Sequence, residues 1–135
     1  MILNDPAVLA EVTAAVDAYE MALMDNDVEA LDAFFWHSPL TVRFGVAENL
    51  YGFEAIAAFR VGRSGGSPKR ARLRTEIVAF GADLAVANVE FRRLDAQGRL
   101  GRQSQTWVRT PDGWKVCAAH VSLLQEGADQ RLPGR

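Results

Sequence analysis

The sequence predicts an α+β fold in which a curved antiparallel sheet wraps around a long N-terminal helix. Two observations lead to this prediction. Apolar residues recur at helical spacing near the N terminus, and strand-like segments separated by turn sequences follow Pro68. The chain has 135 residues, of which 49 % are hydrophobic, and this is the size and composition of one domain. We therefore expect a single domain over residues 1–135, with a frayed tail from about residue 125.

Three helices are predicted, and the first two begin at residues that favour a helix start. Asn4 or Asp5 can cap the first helix, and Pro6 suits its first turn because that position needs no backbone N–H donor. Asp27 can cap the second helix, which must end before Pro39. The three segments are NDPAVLAEVTAAVDAYEMALMDND, VEALDAFFW and FEAIAAFRVG.

Six strands are predicted from short runs of β-branched and aromatic residues. Two short strands flank a turn between the second and third helices, and four longer strands follow the loop RSGGSP. The linkers GAD, DAQG and TPDG are rich in hairpin-turn residues, so we expect the last four strands to form an antiparallel meander. The six segments are LTVRFG, ENLYG, RARLRTEIVAF, LAVANVEFRRL, RQSQTWVR and WKVCAAHVSLL.

Charge and cysteine content exclude several classes of protein. The formal net charge of −2 lacks the basic excess of proteins that bind nucleic acids or anionic membranes, so neither partner is expected. Cys117 is the only cysteine, which excludes an intrachain disulfide, and no secretory leader is evident, so we expect a cytoplasmic protein. No pair of histidines or cysteines has metal-ligand spacing, and GRSGGSP lacks the pattern of a phosphate-binding loop. Neither a metal nor another cofactor is expected.

The most informative blocks of sequence lie between about Asn4 and Leu124. They are NDPAVLAEV, YEMAL, FFWHSPLTVRFGVAENLYG, AIAAFR, GRQSQTWVR and GWKVCAAHVSLL. In this order they resemble the AtzH-like family, which includes HpxZ-like proteins of oxalurate catabolism and lies within the nuclear-transport-factor-two-like (SnoaL-like) superfamily. The resemblance implies the cone-shaped fold, a gene neighbourhood with amidases, and a small carboxylated urea as substrate, such as a ureide, oxalurate or a triazine-derived intermediate. The implied activity is that of an amidohydrolase or decarboxylase.

The strand GRQSQTWVR has an unusual alternation, because neither of its faces is plainly apolar or plainly charged. Alternate residues of a strand point to one side of a sheet, so Gln103, Gln105 and Trp107 share one face. We expect this face to line a cavity that binds a polar ligand. In the alternative, the two glutamines lie on the outer face, in water or at a dimer interface. The same cavity is expected to be lined from neighbouring strands by Asn88, Glu90, His120 and Ser122.

Arg43 is expected to bind the substrate. It interrupts the apolar strand LTVRFG, and a guanidinium in such surroundings requires an anion, because burying an unpaired ion is costly. A substrate carboxylate could accept two parallel hydrogen bonds from it. The alternative is an ion pair with Glu48 or Glu90 that only stabilises the fold. The family resemblance favours the substrate.

Tyr19 lies on the apolar stripe of the first helix, where core packing is the simpler interpretation. The family resemblance favours a catalytic role, as a hydrogen-bond donor or general acid whose phenolic pKa is lowered by a neighbouring Arg43. Arg60 or Gln105 would hold the other end of the substrate. The substrate-binding residues are expected to be Trp36, Tyr51, Arg60, Glu90, Gln105, Trp107, His120 and Ser122.

The sequence is compatible with two reactions and with two non-catalytic functions. Decarboxylation would need a proton from Tyr19, whereas hydrolysis of an amide-like bond would need Glu90 or His120 to activate water. A Ser122 nucleophile, with His120 and either Asp83 or Glu90, is disfavoured because no Gly-x-Ser-x-Gly turn is present. The protein could instead bind small anions without turnover, or dock onto an amidase.

A homodimer is expected from the strand LAVANVEFRRL. We expect the outer face of the sheet to bear some of Ala85, Ala87, Val89 and Phe91, which makes that face too apolar for water alone. Contact between two copies of the chain would cover it.

Overall fold

The computed structural model describes residues 1–63, 65–95 and 98–125, and the predicted elements are all present in the predicted order. The helices and strands are α1 (Pro6–Met24), α2 (Val28–Phe34), β1 (Val42–Phe44), β2 (Asn49–Tyr51), α3 (Phe53–Gly62), β3 (Arg70–Phe80), β4 (Leu84–Arg93), β5 (Leu100–Thr110) and β6 (Gly113–Leu123). The predicted frayed tail, from residue 126 onward, lies outside the described residues. Among the helices described, none has the length and apolar character that a membrane span requires.

Helix α1 begins where the capping pattern predicts. The side chain of Asp5 accepts hydrogen bonds from the backbone N–H groups of Ala7 at 3.0 Å and Val8 at 3.3 Å, which satisfies two donors that have no partner within the helix. The buried face of α1 carries residues three or four positions apart, and α1 packs against β3 and α2. The residues buried on this face are Val8, Val12, Val16, Tyr19, Ala22 and Leu23.

The strands form one curved, unclosed sheet in the order β2-β1-β6-β5-β4-β3. Strands β3 to β6 form the expected antiparallel meander. The sheet is mixed, because β1 pairs with β6 in parallel. This parallel contact brings β1, β2 and the following helix α3 to the sheet edge opposite β3, so that α1 and α3 lie against the same curved face. We call this face the inner face.

The inner face of β4 carries Ala85, Ala87, Val89 and Phe91, all of which are buried. The expectation that these residues lie on the outer face is therefore wrong. Apolar residues occur at both odd and even positions of LAVANVEFRRL, so alternation alone did not decide which set faces the core. The small side chains of Ala85 and Ala87 belong to the core cluster that includes α1, and their size permits close packing of the sheet against the helices.

The pairing of β5 with β4 and β6 shows which residues of these three strands lie on the inner face. Gln105 pairs with Ala87 and Ala119, and all three are buried on the inner face. Ser104, on the opposite face, pairs with Asn88 and His120. The predicted inward facing of Gln103, Gln105 and Trp107 is thus confirmed, and the alternative that the glutamines face outward is excluded.

A β-bulge explains why the facing predicted for β6 is wrong. Trp107 pairs with Val116, but the preceding residue, Thr106, pairs with Ala118, so Cys117 is an additional residue in β6. Counting by twos from the buried Val116 would place His120 and Ser122 on the inner face. The added residue reverses the alternation, and Ala119 and Val121 face inward instead. His120 and Ser122 consequently lie on the outer face, as Asn88 and Glu90 do in β4.

Candidate functional site

A cavity of about 460 Å³ lies between α1, α3, the β1–β2 turn and the inner face of the sheet. Its polar lining is dominated by guanidinium groups, and the turn between β1 and β2 contributes the only carboxylate among the described lining residues, that of Glu48. The apolar part includes Leu23, Phe59, Phe91 and Val121. The ionisable residues of the lining are Tyr19, Arg43, Glu48, Arg60, Arg63, Arg70 and Arg93.

Tyr19 contributes the phenol group of the cavity. Its side chain is held by edge-on or tilted contacts with Phe34, Phe35 and Trp107, at ring-centroid distances of 5.9, 6.2 and 6.2 Å. These contacts fix the orientation of the ring. Within the described part of the chain the Tyr19 hydroxyl makes no hydrogen bond, and the phenol is close enough to Arg63 to interact with its charge.

Arg43 lies on the inner face of β1, where it pairs in register with Leu50 and with the buried Ala119. Its Nη1 donates a hydrogen bond to Oε2 of Glu48 at 3.0 Å. The ion pair that was the alternative for this arginine is therefore present, and it lies in the wall of the cavity. Binding of a substrate by Arg43 stays a prediction.

The β1–β2 turn brings Glu48 to Arg43, and Gly45 makes this approach possible. The backbone N–H of Gly45 donates to the carbonyl oxygen of Glu48 at 2.8 Å. A Cβ atom at position 45 would overlap the Glu48 carboxylate. The absence of a side chain at Gly45 therefore allows the carboxylate to fold back over the turn.

Helix α3 supplies Arg60 and, at its C-terminal cap, Arg63. Nε of Arg60 donates to Oδ1 of Asp32 at 2.9 Å, whereas its buried Nη2 has no partner among the described residues. Arg63 donates from Nη1 to the Ser67 hydroxyl at 2.9 Å and lies over the Phe59 ring at 4.6 Å. Burial lowers the pKa of Arg63, and the positive charge of Arg43 lowers it further.

Arg70 forms the most extensively bonded guanidinium group of the site. It donates from Nη2 and Nε to the Glu20 carboxylate at 2.6 and 3.1 Å, and from Nη2 to Oε1 of Gln103 at 2.7 Å. The guanidinium also lies 4.4 Å from the centroid of the Phe91 ring. This arrangement fixes Gln103 in the cavity wall and neutralises Arg70.

Several of the predicted substrate-binding residues lie outside this cavity. Gln105 and Trp107 are on the inner face but within the core, where Nε1 of Trp107 donates to Oε1 of Gln105 at 3.1 Å. Trp36 is half-buried after α2, with its backbone N–H bonded to the Val116 carbonyl oxygen. Tyr51 is 65 % exposed and lines a different groove.

Three more of the predicted substrate-binding residues lie on the outer face of the sheet. Glu90, His120 and Ser122 do not line the cavity, because the register of β4 to β6 turns them away from the inner face. The exposed ring of His120 packs edge-on against Phe44. Of the predicted site residues, the structure brings together Tyr19, Arg43 and Arg60. The sequence analysis missed Arg63 and Arg70, although the three-residue spacing of Arg60 and Arg63 on one helix was a usable signal.

Among the described residues, no group of three or more His, Cys, Asp or Glu side chains is arranged to hold a metal ion.

Known proteins resemble this chain in both sequence and structure. The model of the AtzH-like family matches residues 1–127 of the chain. A protein of unknown function of the DUF3225 family from Pectobacterium atrosepticum has a similar structure, with 51 % identity, coverage of 91 % of this chain and 95 % of that chain, and a TM-score of 0.86. A cystatin-like fold protein from Burkholderia xenovorans has 52 % identity, coverage of 91 % and 96 %, and a TM-score of 0.85.

A more distant structure shows the fold alone. The nuclear transport factor 2-like superfamily protein from Salmonella enterica is 24 % identical, with coverage of 93 % of this chain and 96 % of that chain and a TM-score of 0.72. Its likeness supports the predicted fold class. No curated protein matches the chain.

Proposed function

The chain belongs to the AtzH-like family, and from this membership and the arginine-lined cavity we propose that it is a cofactor-free enzyme acting on a small carboxylated urea. The substrate would be a ureide, oxalurate or a triazine-derived intermediate of nitrogen-compound catabolism. The observation that carries the proposal is the placement of a phenol, Tyr19, in a cavity whose other ionisable lining groups are mostly guanidinium groups.

The size and charge of the cavity support a small anionic ligand. A volume of about 460 Å³ is within the range of sites for small molecules. Guanidinium groups outnumber carboxylates in its lining, and a ligand carboxylate would compensate this excess with charge-assisted hydrogen bonds. Rings such as Phe59 and Phe91 make part of the lining apolar, and an apolar surrounding strengthens those bonds.

The proposed reaction is decarboxylation. In an N-carboxylated urea, whose carboxylate is bonded directly to a ureido nitrogen, Tyr19 would donate its proton to that nitrogen while the bond between the nitrogen and the carboxylate carbon breaks. The electrons of that bond stay on nitrogen, carbon dioxide leaves, and the phenolate recovers a proton from water. The guanidinium groups that line the cavity, Arg43 among them, would hold the carboxylate. The charge of Arg63, which interacts with Tyr19, would also stabilise the phenolate.

Hydrolysis is less well supported by the geometry. It would require a base that activates water next to the substrate, and Glu90 and His120 were the residues predicted for this role. Both lie on the outer face of the sheet. The proton donor Tyr19 lies in the cavity, which favours decarboxylation.

A non-catalytic accessory function is the second candidate. Three guanidinium groups of the cavity, those of Arg43, Arg60 and Arg70, are paired with carboxylates. Such pairs would also suit a protein that binds a small anion without changing it, or that docks onto an amidase encoded beside it.

Turnover by purified protein separates these candidates. We expect release of carbon dioxide from allophanate, monitored by carbon-13 NMR, and a roughly hundredfold to ten-thousandfold lower rate for Tyr19→Phe. The matched control is Tyr51→Phe, which removes the other phenolic hydroxyl of the chain from an exposed side chain outside the cavity and should leave the rate unchanged.

Each result of these turnover and binding measurements would support a different interpretation of the cavity. Full activity of Tyr19→Phe would remove the proposed acid. Binding of allophanate without turnover by the wild-type protein would replace the enzyme with the accessory function. We expect Tyr19→Phe to retain oxalurate affinity in titration calorimetry, because the ring and its aromatic contacts remain.

A further inference from the structure

We propose that Arg63 is the principal anion-binding residue of the cavity, and that Nη2 of Arg60 is the second donor to the same carboxylate. This inference rests on the proposed function in so far as the anion is taken to be the substrate. It assigns the carboxylate to the C-terminal turn of α3, whereas the sequence pattern singled out Arg43.

Arg63 differs from its neighbours in its partners. Arg43, Arg60 and Arg70 each donate to a carboxylate, at 3.0, 2.9 and 2.6 Å respectively. Among the described residues no carboxylate lies within ion-pair distance of Arg63, which is bonded to the neutral hydroxyl of Ser67. It is therefore a cavity cation whose charge is not compensated by a direct ion pair.

The environment of Arg63 makes this uncompensated charge costly. Its side chain is partly withdrawn from water, and the nearby charges of Arg43 and Arg60 disfavour its own charge, although the carboxylate of Glu48 offsets part of this effect. A bound carboxylate would relieve this repulsion and replace lost hydration. The contact with Phe59 orients the guanidinium plane, and a fixed plane suits two parallel hydrogen bonds to a carboxylate.

Arg60 provides a second donor at the same place. Residues three apart on a helix are neighbours, and Arg60 and Arg63 line both the main cavity and a small crevice of about 10 Å³ that continues from it. The Arg60 side chain is 9 % exposed. Its pairing with Asp32 uses Nε, so the buried Nη2 stays available.

Affinity for anions tests the assignment directly. Titration calorimetry with oxalurate and with malonate should show a roughly tenfold to hundredfold weaker affinity for Arg63→Met than for the wild-type protein. Arg63→Lys, which retains the charge but loses the planar fork, should be intermediate. The matched control is Arg74→Met, because Arg74 is 70 % exposed on the outer face and pairs with Glu76. It changes the net charge equally and should bind both anions normally.

The titration results can contradict the anion-binding role of Arg63 without contradicting the proposed function, and the reverse is also true. Wild-type affinity in Arg63→Met, with an unchanged melting temperature, would overturn the assignment. If Arg63→Met were unstable, normal affinity of Arg63→Lys would overturn the proposed two-donor geometry. A wild-type protein that binds neither anion would overturn both this inference and the anion-binding part of the proposed function. Weakened binding by Arg63→Met in a protein without turnover would support the inference while contradicting the proposed catalysis.

Discussion

Tyr19, Arg43 and Arg60 are residues whose place in the cavity could be predicted from sequence, because each stands out from its surroundings. Tyr19 is a phenol on an apolar helix face, and Arg43 is a cation within an apolar strand. Arg63 is marked in the sequence only by its three-residue spacing from Arg60. Arg70 has no such signal, because it begins an arginine-rich strand and its contact with Phe91 forms only in the folded chain.

Substitution of Arg43 tests its two interpretations at the residue scale. The side chains of Arg43 and Glu48 are 13 % and 21 % exposed, so we expect Arg43→Gln to cost about 1 kcal/mol of unfolding free energy, well below the roughly 3–5 kcal/mol for breaking a fully buried pair. Turnover should fall by roughly one to three orders of magnitude if Arg43 holds the carboxylate. Urea unfolding and carbon dioxide release measure the two effects.

Arg43→Lys separates charge from geometry. Lysine can keep the ion pair with Glu48 but cannot donate two parallel hydrogen bonds, so stability should be retained and turnover should fall. Normal turnover by Arg43→Gln would end the role of Arg43 in substrate binding. A stability loss of about 3 kcal/mol or more would instead identify a mainly structural ion pair.

At the scale of elements, the existence and order of the helices and strands could be predicted from the sequence. Which residues of β4 and β6 point toward the core could not be predicted. Capping residues, turn sequences and apolar periodicity act locally, and they determine where α1 and the meander begin and end. Facing depends on register, and the additional residue Cys117 reverses the alternation of β6. Neither Cys117 nor its neighbours mark a bulge in the sequence, because Ala118 and Ala119 suit either face.

The β1–β2 turn offers a way to release Arg43 without altering it. In Gly45→Ala the new methyl group would displace the Glu48 carboxylate, and Arg43 would lose its ion pair. If Glu48 competes with the ligand for Arg43, oxalurate affinity should rise about fivefold, which corresponds to about 1 kcal/mol. The control is Gly62→Ala, because a Cβ at Gly62 meets no atom within 4 Å. Unchanged affinity in Gly45→Ala, measured by calorimetry, would contradict this competition.

For the whole molecule, the structure changes the basis of the expected homodimer. The residues first assigned to the interface are in the core, yet the outer face still carries an apolar band that crosses all six strands in register. Its members are Val78, Val86, Thr106, Ala118, Val42 and Tyr51. Four residues along β3, β4 and β5 from this band, Arg74, Glu90 and Arg102 form a row of alternating charge. A two-fold axis could place opposite charges of this row against each other, so we propose a second copy of the chain as the partner.

Val86→Arg tests this dimer at the centre of the band. The side chain points away from the core, so the fold should tolerate arginine, whereas a cation of each copy would be buried in the interface without a partner. Light scattering at micromolar concentration should give a dimer mass for the wild-type protein and the monomer mass of 14.8 kDa for Val86→Arg. Val61→Arg is the matched control, since Val61 is 75 % exposed on α3 and its replacement should leave the dimer intact. A wild-type monomer would exclude the homodimer, and a dimer that persists in Val86→Arg would move the interface away from this band.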